Sequence, residues 1–438
     1  MNRIRKIVLN GTGQFIHVLL LRSFLKWIFY GGVVGLLSGT ASALFLKSLE
    51  YVTHIRLVNP WVLFLLPLGG AFVSYLYYKH GKNSAKGNNL IIEQIQERAY
   101  EPVHLRMTPL VLLGTLVTHL LGGSAGREGT AVQMGGSLAE QFGKWIKVGP
   151  IDRQILLMCG ISGGFGSVFG TPLAGAIFAI EVIALGMMRY DALIPCFVAS
   201  FVGNMVAMDL WGVTHIHYDM GEIPALTFMV LLKVLVAAVC FGLVSMIFSE
   251  LTHFLKKSFA SIMPNPMLKS AIGGVIIILM VYLIGSRDYL GLGMPLISQS
   301  FEDSVHPFAF LGKLLFTSVT LGAGFQGGEV TPLFAIGATL GNSLAGLLHL
   351  YAPFLAALGF IAVFCGATNT PLACFLMGIE LFGSEGAIYM FIACLVSYLF
   401  SGHTGIYTSQ LIGVSKSHLL KVPYGTNISS VKIKRKKM

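Results

Sequence analysis

Charged residues are scarce in this sequence. Lysine, arginine, aspartate and glutamate together make up 11% of the 438 residues, against roughly 25% in an ordinary soluble domain. Hydrophobic residues make up 55%, and 52 glycines offer positions at which helices can pack closely in lipid. This composition excludes an ordinary soluble domain and predicts an all-α polytopic membrane protein.

Paired cysteines and a secretory signal are also missing. No short apolar region with a small-residue cleavage site follows Arg3, Arg5 and Lys6, so we expect no cleavable signal peptide. The cysteines stand in apolar runs without paired spacing, which favours small core residues over disulfides or metal ligands. We expect no metal and no cofactor. The six cysteines are Cys159, Cys196, Cys240, Cys365, Cys374 and Cys394.

The positive charge is concentrated at the two ends of the chain. The net charge is +11, and basic residues cluster before the first apolar run and after the last one. The positive-inside rule then predicts cytoplasmic segments at 1–24 and 411–438, an even number of crossings, and a location in the cell membrane. Acidic lipid is a nearer partner than nucleic acid for the basic tail. That tail contains Lys432, Lys434, Arg435, Lys436 and Lys437.

Apolar runs recur along the chain, and several are shorter than the roughly 20 residues that a full crossing needs. Short runs broken by glycine or proline are expected where half-helices meet at a binding site. The runs are Trp27–Leu46, Trp61–Tyr78, Met107–Leu121, Ile155–Leu185, Leu193–Trp211, Leu226–Phe248, Ala271–Gly285, Phe308–Gly322, Pro332–Leu350, Phe354–Phe364, Pro371–Phe382 and Ala387–Phe400.

The sequence repeats itself at an offset of about 200 residues. Thr171-Pro172-Leu173-Ala174, followed by Ile180-Glu181, recurs as Thr370-Pro371-Leu372-Ala373 followed by Ile379-Glu380. The equivalent positions of Glu181 and Glu380 favour a structural role at helix ends. We predict two related membrane repeats, 25–215 and 225–410, whose broken helices favour an inverted arrangement around a mid-membrane site.

A glycine-rich stretch, 122–130, lies between two apolar runs and carries two charges, Arg127 and Glu128. At membrane depth an ionised side chain costs roughly 2.5–3.5 kcal/mol, so such residues are functional candidates. Bare N–H groups at a helix start bind anions. Glu128 would therefore compete with an anion and leave when protonated. The alternative is a glycine-rich turn with Glu128 as a helix cap paired to Arg127, which the membrane setting disfavours.

This stretch resembles a motif of the CLC family of chloride channels and proton-coupled anion transporters. Gly126-Arg127-Glu128-Gly129-Thr130 resembles the family's G-[KR]-E-G-P, and Gly327-Gly328-Glu329-Val330-Thr331-Pro332 resembles its G-G-x-F-x-P. Tyr407 falls where the family has its pore tyrosine. The resemblance covers about residues 25–415 and implies the CLC fold, a homodimer, and anion contacts from Gly126, Arg127, Gly129 and Thr130.

Departures from the family pattern resemble its fluoride-exporting branch, whose members exchange fluoride for protons. Asn88 stands at the serine position of the family's G-S-G-I-P, Val330 at a phenylalanine, and Thr130 at a proline. Val182 stands where chloride antiporters carry a second proton glutamate, and the fluoride branch also lacks that acid.

Each candidate residue has two interpretations. Asn88 donates an amide N–H to the anion or caps a helix in an Asx turn. Glu329 is a second proton stop with Thr331 as its hydroxyl partner, or it caps a helix that begins at Pro332. Val330 contributes its main-chain N–H, and Tyr407 donates a phenolic O–H or lies at the membrane interface.

Three classes of function follow from these residues. The first is an antiporter that exports fluoride in exchange for protons, with Glu128 as a proton-dependent gate. The second is a chloride/proton antiporter or passive chloride channel on the same fold. The third, an intramembrane enzyme, fails because Ser124 has no suitable base nearby except His119, for which packing is the simpler role.

Overall fold

The computed structural model describes residues 14–97, 102–430 and 434–435. Sixteen α-helices dominate these residues, which confirms the predicted all-α class. The basic residues at positions 3, 5, 6, 432, 436 and 437 lie outside the described part of the chain. The first eight helices are α1 (Gln14–Val58), α2 (Leu66–Leu76), α3 (Asn88–Ile95), α4 (Met107–Leu120), α5 (Glu128–Trp145), α6 (Pro150–Phe169), α7 (Pro172–Glu181) and α8 (Leu193–Met205).

The second eight helices follow in matching order. Helix α5 begins 202 positions before its counterpart α13, and the pairs α4/α12 and α6/α14 keep the same offset. The sequence repeat therefore corresponds to a repeated order of helices. The second set is α9 (Phe228–Ile262), α10 (Pro266–Ile284), α11 (Met294–Glu302), α12 (Ala309–Gly322), α13 (Val330–Leu348), α14 (Ala352–Thr368), α15 (Pro371–Phe382) and α16 (Ala387–Phe400).

Six helical segments of the described chain are long and apolar enough to cross a membrane. Six further apolar helices have 10–17 residues, and some of them are too short for a full crossing. Both the predicted spans and the predicted short helices are therefore present. The six long segments are Ile16–Val58, Pro60–Lys86, Tyr190–Leu210, Phe228–Ile262, Pro266–Ile284 and Val330–Leu348.

Several helix boundaries differ from the sequence expectation. Helix α1 has 45 residues and extends well beyond the apolar run 27–46 on both sides. Before the run, residues 16–25 are exposed but largely apolar, among them Ile16, Leu19 and Phe24, so the predicted run began too late. After the run, residues 47–58 mix polar and apolar side chains, which hydropathy alone does not mark as a membrane helix. Helix α13 begins at Val330, two residues before the proline that was expected to start it.

Glycines allow the central helices to touch. A Cβ placed on Gly135 of α5 would lie 2.1 Å from the carbonyl oxygen of Gly160 in α6. The equivalent pair in the second repeat is Gly337 and Gly359, with the same 2.1 Å. Any side chain at these positions would separate the helices.

Two glutamates cross-link the repeats through helix starts. The carboxylate of Glu181, at the end of α7, accepts hydrogen bonds from the main-chain N–H groups of Leu372 (3.2 Å) and Ala373 (2.9 Å). Glu380 of α15 accepts from Leu173 and Ala174, both at 2.8 Å. Each carboxylate satisfies the free N–H groups at the start of the other helix. The predicted structural role at helix ends is confirmed.

Contacts place the two described ends of the chain on one face of the molecule. Lys26 of α1 bonds Asp152 of α6 at 2.5 Å. Gln154, two residues after Asp152, donates to Glu97, and the neighbouring Gln96 donates to the carbonyl of Ser409. The chain after Ser409 packs on this face, because Leu411–Ile412 pairs with Ala184–Leu185 and with Thr426–Asn427. Residues 411–430 are thus folded against the helices.

Candidate functional site

The glycine-rich starts of α5 and α13 meet backbone to backbone. Gly126 donates its N–H to the carbonyl of Gly328 at 2.6 Å, and Gly328 returns a hydrogen bond of 2.8 Å. A Cβ on Gly328 would lie 2.8 Å from the nitrogen of Gly129, so only glycine permits this approach. The predicted convergence of two glycine-rich helix starts is therefore present. The N–H of Gly126, expected to contact an anion, is already engaged in this bridge.

Glu128 occupies the space between the two helix starts. Its side chain is 1% exposed. The carboxylate accepts a hydrogen bond from the main-chain N–H of Arg127 at 2.8 Å, and from the N–H (2.5 Å) and hydroxyl (2.8 Å) of Thr331. Donors from both repeats thus converge on one negatively charged group. Such donors at helix N-termini would serve an inorganic anion equally well.

Asn88 lies beside this cluster. It is the first residue of α3, directly after the N-cap residue Gly87. Its amide nitrogen would be 3.2 Å from a Cβ on Gly129, and its amide oxygen is buried without a partner among the described residues. The geometry therefore favours the side-chain donor over the Asx-turn alternative.

The expected pairing of Glu329 with Thr331 is wrong. Thr331 gives both its N–H and its hydroxyl to Glu128. Glu329 precedes α13 and makes no side-chain cap hydrogen bond, so the helix-cap alternative is also absent. The reason is directional, because Thr331 is the second residue of α13 and faces the other repeat. Glu329 itself lies within electrostatic reach of Glu128 and of Lys256 on α9.

The structure also places the other predicted site residues, Thr130, Val330 and Tyr407. Thr130 turns its hydroxyl to Thr115 at 2.6 Å, so its side chain points away from Glu128. Val330 is 1% exposed and packs in the core. Tyr407 is 5% exposed and packs edge-on against Phe178, with 6.3 Å between ring centroids. It is buried, so the interfacial alternative does not apply.

The guanidinium of Arg127 lies on the other side of the cluster, 5.9 Å from the ring centroid of Phe169. Its Nε is buried without a hydrogen-bond partner, and no ion pair to Arg127 occurs within the described residues. The alternative in which Arg127 pairs with the carboxylate of Glu128 is therefore not seen. A half-buried arginine without an acid is a functional candidate in a membrane protein.

Sequence reasoning missed one buried charge near the site. The ammonium of Lys313, in α12, is fully buried and donates to the hydroxyl of Ser124 (2.9 Å) and the carbonyls of Tyr289 (3.1 Å) and Gly291 (2.7 Å). It ties α12 to the stretch before α5. A single lysine inside the apolar run 308–322 was the signal that could have revealed it.

A protonatable carboxylate held by N–H donors can exchange places with an anion. Ionised, it occupies the donors itself; protonated, it loses its charge and much of its attraction to them. The cluster thus contains the chemical elements of a proton-dependent anion gate. Within the described residues no group of acids, histidines and cysteines could hold a metal ion.

Comparisons with known proteins agree with this geometry. The family model described as voltage gated chloride channel matches residues 69–402. A chloride/fluoride channel protein of Pseudomonas syringae pv. tomato is 50% identical, with 93% of this chain and 91% of that protein covered. An H⁺/Cl⁻ exchange transporter of Vibrio vulnificus is 25% identical, with 81% of each covered.

Solved structures show the same architecture. The crystal structure of a CLC-type fluoride/proton antiporter matches with a TM-score of 0.85 and 36% identity, covering 88% of this chain and 98% of that one. A slow cyanobacterial Cl⁻/H⁺ antiporter matches with a TM-score of 0.77 at 20% identity, covering 87% and 96%, which is a likeness of fold. These relatives are transport proteins, which agrees with the prediction that the chain is not an enzyme. The chain belongs to the CLC family of voltage-gated chloride channels and related transporters.

Proposed function

We propose that this protein exports fluoride from the cell in exchange for protons. The observation that carries the proposal is the carboxylate of Glu128, which accepts the N–H and hydroxyl of Thr331 at 2.5 and 2.8 Å. In the transport cycle this carboxylate yields its donors to fluoride when it takes up a proton. It returns to them when it releases the proton.

Fluoride selectivity is supported by Asn88 and by the relatives. Fluoride is small and strongly hydrated, so a site that removes its water must supply well-aligned donors in return. The amide of Asn88 lies over Gly129, where it can add such a donor to those of the main chain. The Pseudomonas relative is named for chloride and fluoride, and the antiporter structure at 36% identity for fluoride and protons.

Glu329 is proposed as the second proton stop. It lies at the start of α13, next to the Glu128 cluster, and interacts electrostatically with Lys256 on α9. Lys256 is exposed and stands less than two turns before the end of α9, which runs to Ile262. Protons would pass from Glu128 through Glu329 toward that side of the membrane.

The topology proposal completes this picture. The face that carries the described chain ends is cytoplasmic, the chain lies in the cell membrane, and the repeats span 25–215 and 225–410. The contact between Lys26 and Asp152, both near that face, supports a common side for the ends. Acidic lipid on the cytoplasmic leaflet is the expected partner of the basic ends.

Purified protein in liposomes tests the function directly. Vesicles loaded with sodium fluoride or sodium chloride would be diluted into anion-free medium while a trapped dye reports internal pH. We expect fluoride efflux that drives proton uptake, and little chloride efflux. Equal fluoride and chloride fluxes would support the chloride alternative instead. Fluoride flux without proton movement would indicate a passive channel.

A further inference from the structure

A small cavity adjoins the Glu128 cluster beside Phe169, at the end of α6, the helix whose first turn contacts Lys26 through Asp152. Its volume is about 40 Å³, whereas a single water molecule needs roughly 10–15 Å³ of such space. It shares Arg127 and Thr331 with the cluster and is also lined by Phe169, His215 and Tyr218. The cavity is therefore large enough for one or two water-sized species directly beyond the gate.

Unpartnered polar atoms surround this cavity. The Nε of Arg127, the Nε2 of His215 and the phenolic oxygen of Tyr218 are all buried without a hydrogen bond among the described residues. Tyr218 has the hydroxyl-bearing Ser298 as a neighbour, but the two do not reach hydrogen-bond geometry. A buried polar group without a partner is destabilising. Three such groups around one cavity are positioned to bind a polar ligand.

The charge of the residues that line the cavity favours an anion as its ligand. Arg127 is the charged residue among those that line the cavity, and it has no ion pair in the described chain. His215 lies outside the membrane-spanning helices, where burial and the nearby Arg127 lower its pKa to about 4. At neutral pH it is an uncharged imidazole that can donate one N–H. Arginine, imidazole and phenol together offer three kinds of donor.

The segment that supplies His215 and Tyr218 joins the two repeats. Residues 212–227 have no regular secondary structure. Tyr218 is fixed by stacking on Phe301, with 4.7 Å between ring centroids, and the carbonyl of Pro224 accepts a hydrogen bond from Tyr389 at 3.0 Å. The segment is thus held over the cavity by contacts to the second repeat.

We infer that Arg127, His215 and Tyr218 form an outer anion site, where a fluoride ion stops after passing Glu128 and before release. The inference rests on the proposed export of fluoride. A fluoride ion is about the size of a water molecule and fits the cavity. When the Glu128 carboxylate holds Thr331, the outer site lies next along the path. An anion there hinders the passage of the next one.

The test is inhibition of transport by external fluoride. Liposomes with a fixed internal fluoride concentration would be placed in media of rising fluoride concentration, and the initial rate of proton uptake would be recorded. Each variant is normalised to its own rate without external fluoride. For Tyr218→Phe, which keeps the ring and its stacking, and for His215→Ala, we expect the half-inhibitory fluoride concentration to rise at least threefold. His217→Ala, an exposed neighbour outside the cavity, is the matched control and keeps the wild-type value.

Two other outcomes overturn the outer site, and a third overturns the proposed function. An unchanged half-inhibitory concentration in both variants contradicts it while leaving fluoride export intact. A changed ratio of protons to fluoride at constant inhibition would mean that the cavity receives the swung-out carboxyl of Glu128 instead. If wild type moves no fluoride, the proposed function fails. The same series with chloride then decides whether this cavity holds any anion.

Discussion

Glu128 combines two roles that ordinary ion-binding residues keep apart, since it competes with the anion and carries the proton. Its partner Thr331 lies 203 positions away in the chain. We predict that Glu128→Gln abolishes coupling between anion and proton movement, because the amide cannot take up or release a proton. The measurement is fluoride-driven proton uptake in liposomes with a trapped pH dye. A variant that still concentrates protons when supplied with fluoride would rule out this gate.

The preference for fluoride over chloride is a second property that we assign to single residues. Replacing Asn88 with serine and Val330 with phenylalanine restores the side chains that the family pattern has at these positions. We expect the fluoride-to-chloride flux ratio to fall several-fold, because the amide donor beside Gly129 is lost. Both fluxes would be measured in the same liposomes. Val330→Leu, a change of shape without an aromatic ring, is the control, and an unaltered ratio in the double variant would contradict the role of Asn88.

Most residues of the site could be predicted from the sequence, but their hydrogen-bond partners could not. Scarce charges inside apolar runs marked Glu128, Arg127 and Glu329, because charge at membrane depth is costly. It could not show that Thr331 faces Glu128 and not Glu329, since this depends on the angle at which two helices from different repeats meet. The carbonyl groups that bind Lys313 could not be predicted either, because every residue has a main-chain carbonyl and its type does not show which one is used.

At the scale of helices, the reciprocal bonds of Glu181 and Glu380 hold α7 and α15 against each other. Hydrogen bonds to charged groups contribute about 1.5–3 kcal/mol. Glu181 is 7% exposed, and a glutamine retains a single acceptor oxygen where the carboxylate has two. We therefore predict that Glu181→Gln lowers stability by about 1–3 kcal/mol. Thermal unfolding in detergent, followed by tryptophan fluorescence, measures the change.

The control for this variant is Glu385→Gln, at an exposed position just beyond α15. Its unfolding temperature should equal that of wild type. If Glu181→Gln unfolds at the same temperature as this control, the carboxylate contributes nothing measurable to the joint between the repeats. Transport activity is a second readout, and we expect it to persist at low temperature because the carboxylate lies outside the Glu128 cluster.

Hydropathy predicted where helices occur, whereas the positions of their ends depend on contacts with other parts of the chain. The apolar runs and the repeated Thr-Pro-Leu-Ala segment correctly located α7 and α15. The ends of α1 were underestimated because the helix continues through mixed polar and apolar residues on both sides of the run, where Lys26 and Arg56 bond to neighbouring helices. Residues 411–430 were expected as a basic tail, but their strand pairing with Ala184–Leu185 is long-range and has no local signature.

For the whole molecule we propose a homodimer with one complete pathway in each subunit. Both helix starts of the Glu128 cluster come from one chain, so the site needs no partner. Exposed apolar side chains along α8 and α16 are the proposed contact surface, namely Ile194, Phe197, Phe201, Met205, Ile388, Phe391, Leu395 and Leu399.

Mixed dimers test this assembly. One subunit would carry a modification that blocks its own transport, and the two would be purified together through different tags. We expect about half the wild-type fluoride flux, because each pathway works alone. Flux near zero would mean a shared pore. Monomers in dilute detergent, detected by light scattering, would contradict the dimer itself.

The cross-connections between the repeats also set the order in which the protein can be completed during its synthesis. Ribosomes make the first repeat before Thr331, Leu372 and Ala373 exist, so Glu128 and Glu181 enter the membrane without the groups that later receive them. Until then, lipid can accept these two acids most readily in their protonated form. The first repeat therefore cannot complete its hydrogen bonds at Glu128 and Glu181 until the second repeat has been made. The bridge between Gly126 and Gly328 then joins the two halves together with the bonds of Glu128, Glu181 and Glu380.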